Sequence, residues 1–280
     1  MTAADFVPVV LGLASAAAWG AGDFCGGLAS KRASAYSVVM LSQGAGALLL
    51  VGLALISNDP LPPLGLLLWA SIGGLAGSMG LLLLYHALAS GRMGVAAPLS
   101  AVISAALPVA FSSLVEGWPG RLTFAGFALA LLGIWLIARS EGAAFRWRDV
   151  GLPILAGVGF GIFLIVINRV SHEAVFWPLA ASRVTSTVAL LSFMLLARQA
   201  AGPAPAYLPL IALVGVLDAG GNALFALASQ FGRLDVAAVL GSLYPASTVL
   251  LAWLILKERI SRTQTLGIVA ALAAIVLITV

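Results

Sequence analysis

Between Phe6 and Leu28 the only charged residue is Asp23, and between Phe124 and Ala138 there is none. A helix crosses about 30 Å of hydrocarbon with roughly 20 apolar residues, and stretches close to that length follow one another along this chain. Inside lipid only helices and closed barrels satisfy their own backbone polar groups. A barrel strand needs only about 10 residues of alternating polarity, and nothing here alternates that way. The chain therefore reads as an all-α membrane protein. Its composition agrees: 62% of residues are hydrophobic and 9% charged, against about 25% charged in soluble domains.

Charges, prolines and glycines interrupt the apolar runs and predict ten transmembrane spans. Five fall near 6–29, 35–57, 64–89, 94–115 and 121–138, and five near 150–170, 174–197, 206–230, 235–256 and 262–280. The polar stretch 140–149 is the expected linker between residues 1–139 and 150–280. MTAADF carries no Lys or Arg ahead of the first span, so that span is expected to be retained and not cleaved as a secretory signal.

The two halves repeat. GRMGVAA at 91–97 returns as GRLDVAA at 232–238, with five of seven positions identical and an offset of 141. The same offset pairs Arg121 with Arg262, Gly126 with Gly267 and Ile134 with Ile275. Because five is odd, a second copy must thread the bilayer in the opposite direction, and inverted repeats result.

Loop charges give the same answer, since Lys and Arg collect on the cytoplasmic side. Lys31 with Arg32 is matched by Arg169 and Glu173, and Asp59 by Arg198. Arg92 is matched by Arg233 beside Asp235, and Glu116 with Arg121 by Lys257, Arg259 and Arg262 around Glu258. Each bias changes between copies. Lys31, Arg32, Arg92, Arg139, Arg146, Arg148, Arg198, Lys257, Arg259 and Arg262 then flank one face, and Arg121, Arg169 and Arg233 the other. Alone, this places both termini outside the cytoplasm.

GRMGVAAP at the start of one fourth helix, and SLYPASTVLLAWLILKERIS in its counterpart, give the chain a resemblance to the EamA-type branch of the drug/metabolite transporter superfamily. The likeness covers essentially the whole chain. Its most specific piece holds Pro245 in mid-helix and Glu258 after it; the first copy departs, with Pro98 and Pro108 before Glu116. The resemblance implies a transporter of small metabolites, commonly outward, including amino acids and their relatives. It also implies cytoplasmic termini, contrary to the loop charges.

Inverted repeats enclose a site near the midplane that rocking of the halves exposes to each side in turn. An ionisable group in hydrocarbon costs about 2.5–3.5 kcal/mol on insertion scales, so polar side chains within spans are the candidate substrate-binding residues. Asp218 sits mid-span, one turn before Asn222 on the same face. A buried carboxylate exchanging a proton for a substrate cation would supply proton coupling. The competing reading pairs Asp218 with Arg183 structurally. Arg183 alternatively holds a substrate carboxylate in its planar fork of donors. Gln43 is its repeat mate, following Ser42 as Arg183 follows Ser182, and serves either the cavity or an interhelical hydrogen bond.

Asp23 lies one turn after Trp19, in WGAGDFCGG, where Gly22 and Gly26 allow close helix approach. It either lines the cavity or pairs with Lys31 or Arg32 near the surface. Tyr85, His86, Asn168 and Tyr244 complete the candidates; His86 can titrate near neutral pH and equally suits an interfacial helix end. Pro98, Pro108 and Pro245 free carbonyls that a cavity tolerates, or simply kink the helices. Glu116 and Glu258 suit helix ends, and Trp118 and Trp147 interfacial anchors.

Other classes fare worse. Two His, one Cys and no HExxH leave an intramembrane metalloenzyme without ligands, so neither enzyme activity nor a cofactor is expected. Cys25 alone forms no internal disulfide and reads as a packing residue. No GxxxxGK[ST] loop signals an ATP-driven pump, and no repeated polar rings signal a channel. The net charge of +4 is scattered between spans, which disfavours nucleic acid. The expected partners are the lipid bilayer and a small-molecule substrate. The expected protein is a secondary exporter in the bacterial cytoplasmic membrane, monomer or homodimer, with an uncoupled facilitator or uptake permease of the same fold as the alternative.

Overall fold

The computed structural model describes residues 3–89, 93–138, 151–198, 205–257 and 261–279. Among these every regular element is helical. The helices are α1 (Ala3–Ser30), α2 (Ala35–Ile56), α3 (Leu64–Ala89), α4 (Met93–Val115), α5 (Arg121–Ala138) and α6 (Gly151–Val170). They continue with α7 (Phe176–Leu196), α8 (Leu208–Phe231), α9 (Leu234–Gly241), α10 (Tyr244–Leu256) and α11 (Arg262–Thr279), with a single 3₁₀ turn at Pro205–Tyr207. Seven segments are long and apolar enough to cross a membrane, one of them Leu234–Leu256, and Leu99–Val115 and Arg121–Leu136 are shorter apolar helices. The expected linker 140–149 lies outside the described residues, as do Arg92, Trp147 and Glu258.

The span expected at 235–256 is found as the membrane-length segment Leu234–Leu256, and its distortion at Pro245 is a full interruption of the helix at Ser242 and Leu243. Pro245 is the cause: it has no N–H to donate and its ring would strike the carbonyl four residues earlier, at Gly241. The chain turns instead, with Leu243 N–H donating to Leu240 O at 3.1 Å and Ala246 N–H to Leu243 O at 2.9 Å. Pro108 lies within the continuous α4.

Helix packing maps onto itself when the halves are exchanged. α1 packs along α8 as α6 packs along α3, and α4 lies on α6 as α9 and α10 lie on α1. α2 pairs with its own counterpart α7, and α5 with α11. Helix ends match too: Asn58 after α2 and Arg198 after α7 have φ of 51° and 48°, and Gly117 and Lys257 have φ of 87° and 58°. Such left-handed residues terminate helices.

Small residues set the closest crossings. A Cβ on Gly74 of α3 would sit 2.5 Å from Ser182 O of α7, and one on Gly215 of α8 would overlap Ser42 O of α2. Gly74 and Gly215 are 141 positions apart, and each lies against the serine preceding Gln43 or Arg183. Leu48, Leu68, Val188 and Leu266 are exposed, an apolar exterior that suits hydrocarbon and not water.

One end of the bundle is bolted. α7 has no capping side chain of its own. Asp59, in the loop after α2, caps it from outside: Oδ2 accepts N–H of Phe176 at 2.8 Å and of Trp177 at 3.1 Å, while Trp177 Nε1 donates to Asp59 O at 2.9 Å. At the same end Arg233 donates to Gly117 O at 2.8 Å and to Asp235 Oδ2 at 2.9 Å, and Gln230 Nε2 donates to Ser171 O.

Candidate functional site

The glycine crossings bring Gln43 of α2 and Arg183 of α7 face to face, with Arg183 NH1 donating to Gln43 Oε1 at 2.5 Å. α8 adds Asp218, whose Oδ2 lies 2.7 Å from the same NH1 and 3.5 Å from Gln43 Nε2. Low dielectric strengthens this attraction, and the closure of the pair offsets the cost of removing each charge from water. The two side chains are 8% and 19% exposed, because both border a cavity.

That cavity leaves about 70 Å³ for the centres of water molecules, several times what one water requires. α1 contributes Trp19 and Asp23, one turn apart; α3 contributes Gly74, Gly77, Ser78 and Leu81; α6 contributes Phe160, Phe163 and Leu164. Ser104 of α4 closes one wall, and the break after α9 turns Ser242 and Tyr244 into another. Tyr244 Oη and Ser100 Oγ are 3.0 Å apart, which ties α10 to α4.

Trp19 is wedged in place. Its Nε1 donates to Asn222 Oδ1 at 3.0 Å. A Cβ on Gly221 would meet its ring at 2.6 Å and one on Gly241 at 2.8 Å. Asp23, by contrast, makes no hydrogen bond and no ion pair among the described residues, with Lys31, Arg32 or any other group.

Of the sequence candidates, the cavity thus gathers Trp19, Asp23, Gln43, Arg183, Asp218, Asn222 and Tyr244. The Arg183–Asp218 pairing, the competing reading at the sequence level, is present, and it sits on the cavity wall. Tyr85, His86 and Asn168 do not line it. Tyr85 is buried with its hydroxyl against Gly26 of α1. His86 lies at the outer end of α3, its Nδ1–H donating to Leu82 O at 2.9 Å and its ring edge-on to Tyr36. Asn168 is buried on α6 outside the lining. Glu116 accepts from Ser112 Oγ at 2.9 Å, as a helix-end residue does.

Sequence reading missed Phe160, Phe163, Ser78, Ser104 and Ser242, which look like ordinary span residues. It also missed Gly74 and Gly215, although their 141-residue spacing was a usable signal. No group of three or more His, Cys, Asp or Glu suited to a metal occurs among the described residues.

The model of the EamA-like transporter family matches residues 7–139 and again 149–280. A solved crystal structure superposes with a TM-score of 0.78 at 16% sequence identity, covering 98% of both chains; that likeness concerns the fold. No curated protein matches the chain.

Proposed function

Since this chain belongs to the EamA-like transporter family, within the drug/metabolite transporter superfamily, we propose that it is a secondary transporter working by alternating access. The cargo is a small polar or amphipathic metabolite, amino-acid-like compounds being favoured, and the direction is outward across a bacterial cytoplasmic membrane. In this reading α9 and α10 together make one crossing, and ten crossings form two inverted five-helix repeats, 1–139 and 150–280, joined by 140–149. The exchange of packing partners between halves and the alternation of loop charge support it.

The observation that carries the proposal is the Arg183–Gln43–Asp218 cluster, facing a cavity walled by helices of both repeats. A charged cluster kept beside open space at membrane depth is costly, and a substrate pathway is the usual reason for it. The bonds of Asp59 and Arg233 close the face opposite the basic loops, so the conformation described is one of two end states. Opening requires those bonds to break while the basic face closes.

The test is thermal stabilisation of the purified protein by a panel of amino acids, sugars, nucleosides and cationic drugs, since a ligand of the native state raises apparent stability. The stabilising compound is then expected to exchange across proteoliposome membranes, and Asp218→Asn, which breaks the pair with Arg183, to lower that exchange. Stabilisation without exchange, or no stabilising compound, overturns the proposal.

A further inference from the structure

Resting on that reading of the cavity as a transport site, but replacing its preference for amino-acid-like cargo, we infer that the cargo is a small organic cation, an amine or quaternary ammonium with an apolar or aromatic body, seated on Asp23. The inference starts from a charge inventory. Among the cavity-lining residues the ionisable side chains other than tyrosine are Asp23, Asp218 and Arg183. Arg183 is matched to Asp218 at 2.7 Å, and Gln43 occupies the same NH1. One carboxylate remains without a countercharge.

The surroundings add the hydroxyls of Ser78, Ser104 and Ser242 and much aromatic surface, but among the lining residues no positive charge other than Arg183. Trp19 lies one helical turn from Asp23 on the same face. Its indole N–H is already committed to Asn222, and its ring is held between α8 and α9 by Gly221 and Gly241. Phe160, Phe163 and Tyr244 line the same space. An ammonium within about 6 Å of such ring faces is attracted by their quadrupoles, most strongly where water is excluded. A carboxylate without a partner, one helical turn from an indole that is wedged in place, is a receptor suited to a positively charged nitrogen.

A free anion finds one unpartnered donor, Arg183 Nε, but the charge of that guanidinium is already matched by Asp218, and Asp23 adds a second acid to the same space. A zwitterion gains at Asp23 what its carboxylate loses against Asp218. Substrates are therefore ranked cation first, then zwitterion and neutral isostere, then anion.

The experiment uses the full-length protein in detergent at pH 7.5 and four probes sharing one body: phenethylammonium, phenethyl alcohol, phenylalanine and hydrocinnamate. Choline and tetraethylammonium widen the cationic arm. Calorimetric titration is expected to give a dissociation constant at least tenfold lower for the best cation than for phenethyl alcohol or phenylalanine. Asp23→Asn is expected to remove that preference, and Asp23→Glu to retain it. Asp218→Asn frees Arg183 and is expected to move the preference toward phenylalanine, a gain that a merely damaged fold does not produce.

Equal binding of cation and neutral isostere, failure of every cation, or a cation preference that survives Asp23→Asn overturns the assignment. If Asp23→Asn does not fold, the wild-type ranking with Asp23→Glu and Asp218→Asn decides. Counterflow in proteoliposomes separates the two claims. Exchange of a neutral or zwitterionic compound without cation preference sinks this inference and leaves the transport reading standing, whereas cation binding without exchange does the opposite.

Discussion

Arg183 NH1 and Asp218 Oδ2 lie 2.7 Å apart on facing helices of the second repeat, with Gln43 of the first repeat on the same nitrogen. Three side chains from α2, α7 and α8 thus share one charge balance. Removing one partner strands the other in low dielectric, and Asp218→Ala is expected to destabilise the protein by about 3–5 kcal/mol. Replacing both, Arg183→Met with Asp218→Leu, is expected to recover most of the loss, since well-packed apolar residues often match a buried pair in stability. Thermal melting of the single and double variants in bicelles measures both. Recovery of stability without recovery of exchange assigns the pair to function over folding.

Asp59 caps α7 in trans, through Oδ2 to Phe176 N–H and Trp177 N–H. Loss of a capping side chain costs about 0.5–2 kcal/mol, and here the cost falls on a contact between loops of opposite repeats. Asp59→Ala is expected to speed hydrogen exchange at the amides of Phe176 and Trp177, with little change at Ser37. That amide is capped locally by Ser34 at 3.2 Å and serves as the internal control. Asp59→Asn, which keeps an acceptor oxygen, is expected to fall between. If the bolt holds one end state closed, Asp59→Ala also raises the rate at which a reagent on that face reaches the cavity.

The repeat was legible because it is written in one dimension: a 141-residue offset and an alternating loop charge survive without knowledge of contacts. Span positions were legible for the same reason, since 35–57 and 64–89 were expected and Ala35–Ile56 and Leu64–Ala89 are found. What sequence withheld depends on partners. Asp59 read as a lone loop charge because the helix it caps starts over a hundred residues later. Asp23 and His86 looked alike as titratable groups near helix ends, yet one borders the cavity and the other packs edge-on to Tyr36. Pro245 signalled a distortion, but whether helix kinks or breaks is decided by what can accept the freed groups.

Gly74 and Gly52 occupy helices of similar length and read identically in sequence, but only one is crowded. A Cβ on Gly74 meets Ser182 backbone at 2.5 Å, and nothing lies within 4 Å of one on Gly52. Gly74→Ala is expected to force α3 from α7 and cost about 1–3 kcal/mol, with Gly215→Ala behaving alike at α8 and α2. Gly52→Ala is expected to be neutral or stabilising by up to about 1 kcal/mol, the helix-propensity difference. Melting temperatures of the three variants give the comparison. Equal losses at Gly52 and Gly74 would show that the crossing is not what the glycine serves.

Lys31 and His172 stand 141 positions apart, one after the first helix of each repeat, and inverted threading requires them on opposite faces of the membrane. In a Cys25→Ser background, single cysteines at Lys31 and Arg198 are expected to resist a membrane-impermeant maleimide added to intact cells. Cysteines at Asn58 and His172 are expected to react, because the basic loops belong to the cytoplasmic side. The reverse pattern would place the termini inside and keep the inversion, since it reflects both repeats together. Labelling of Lys31 and His172 from the same side has no such rescue: it would make the repeats parallel and remove the inverted relation between halves on which the alternating-access reading rests.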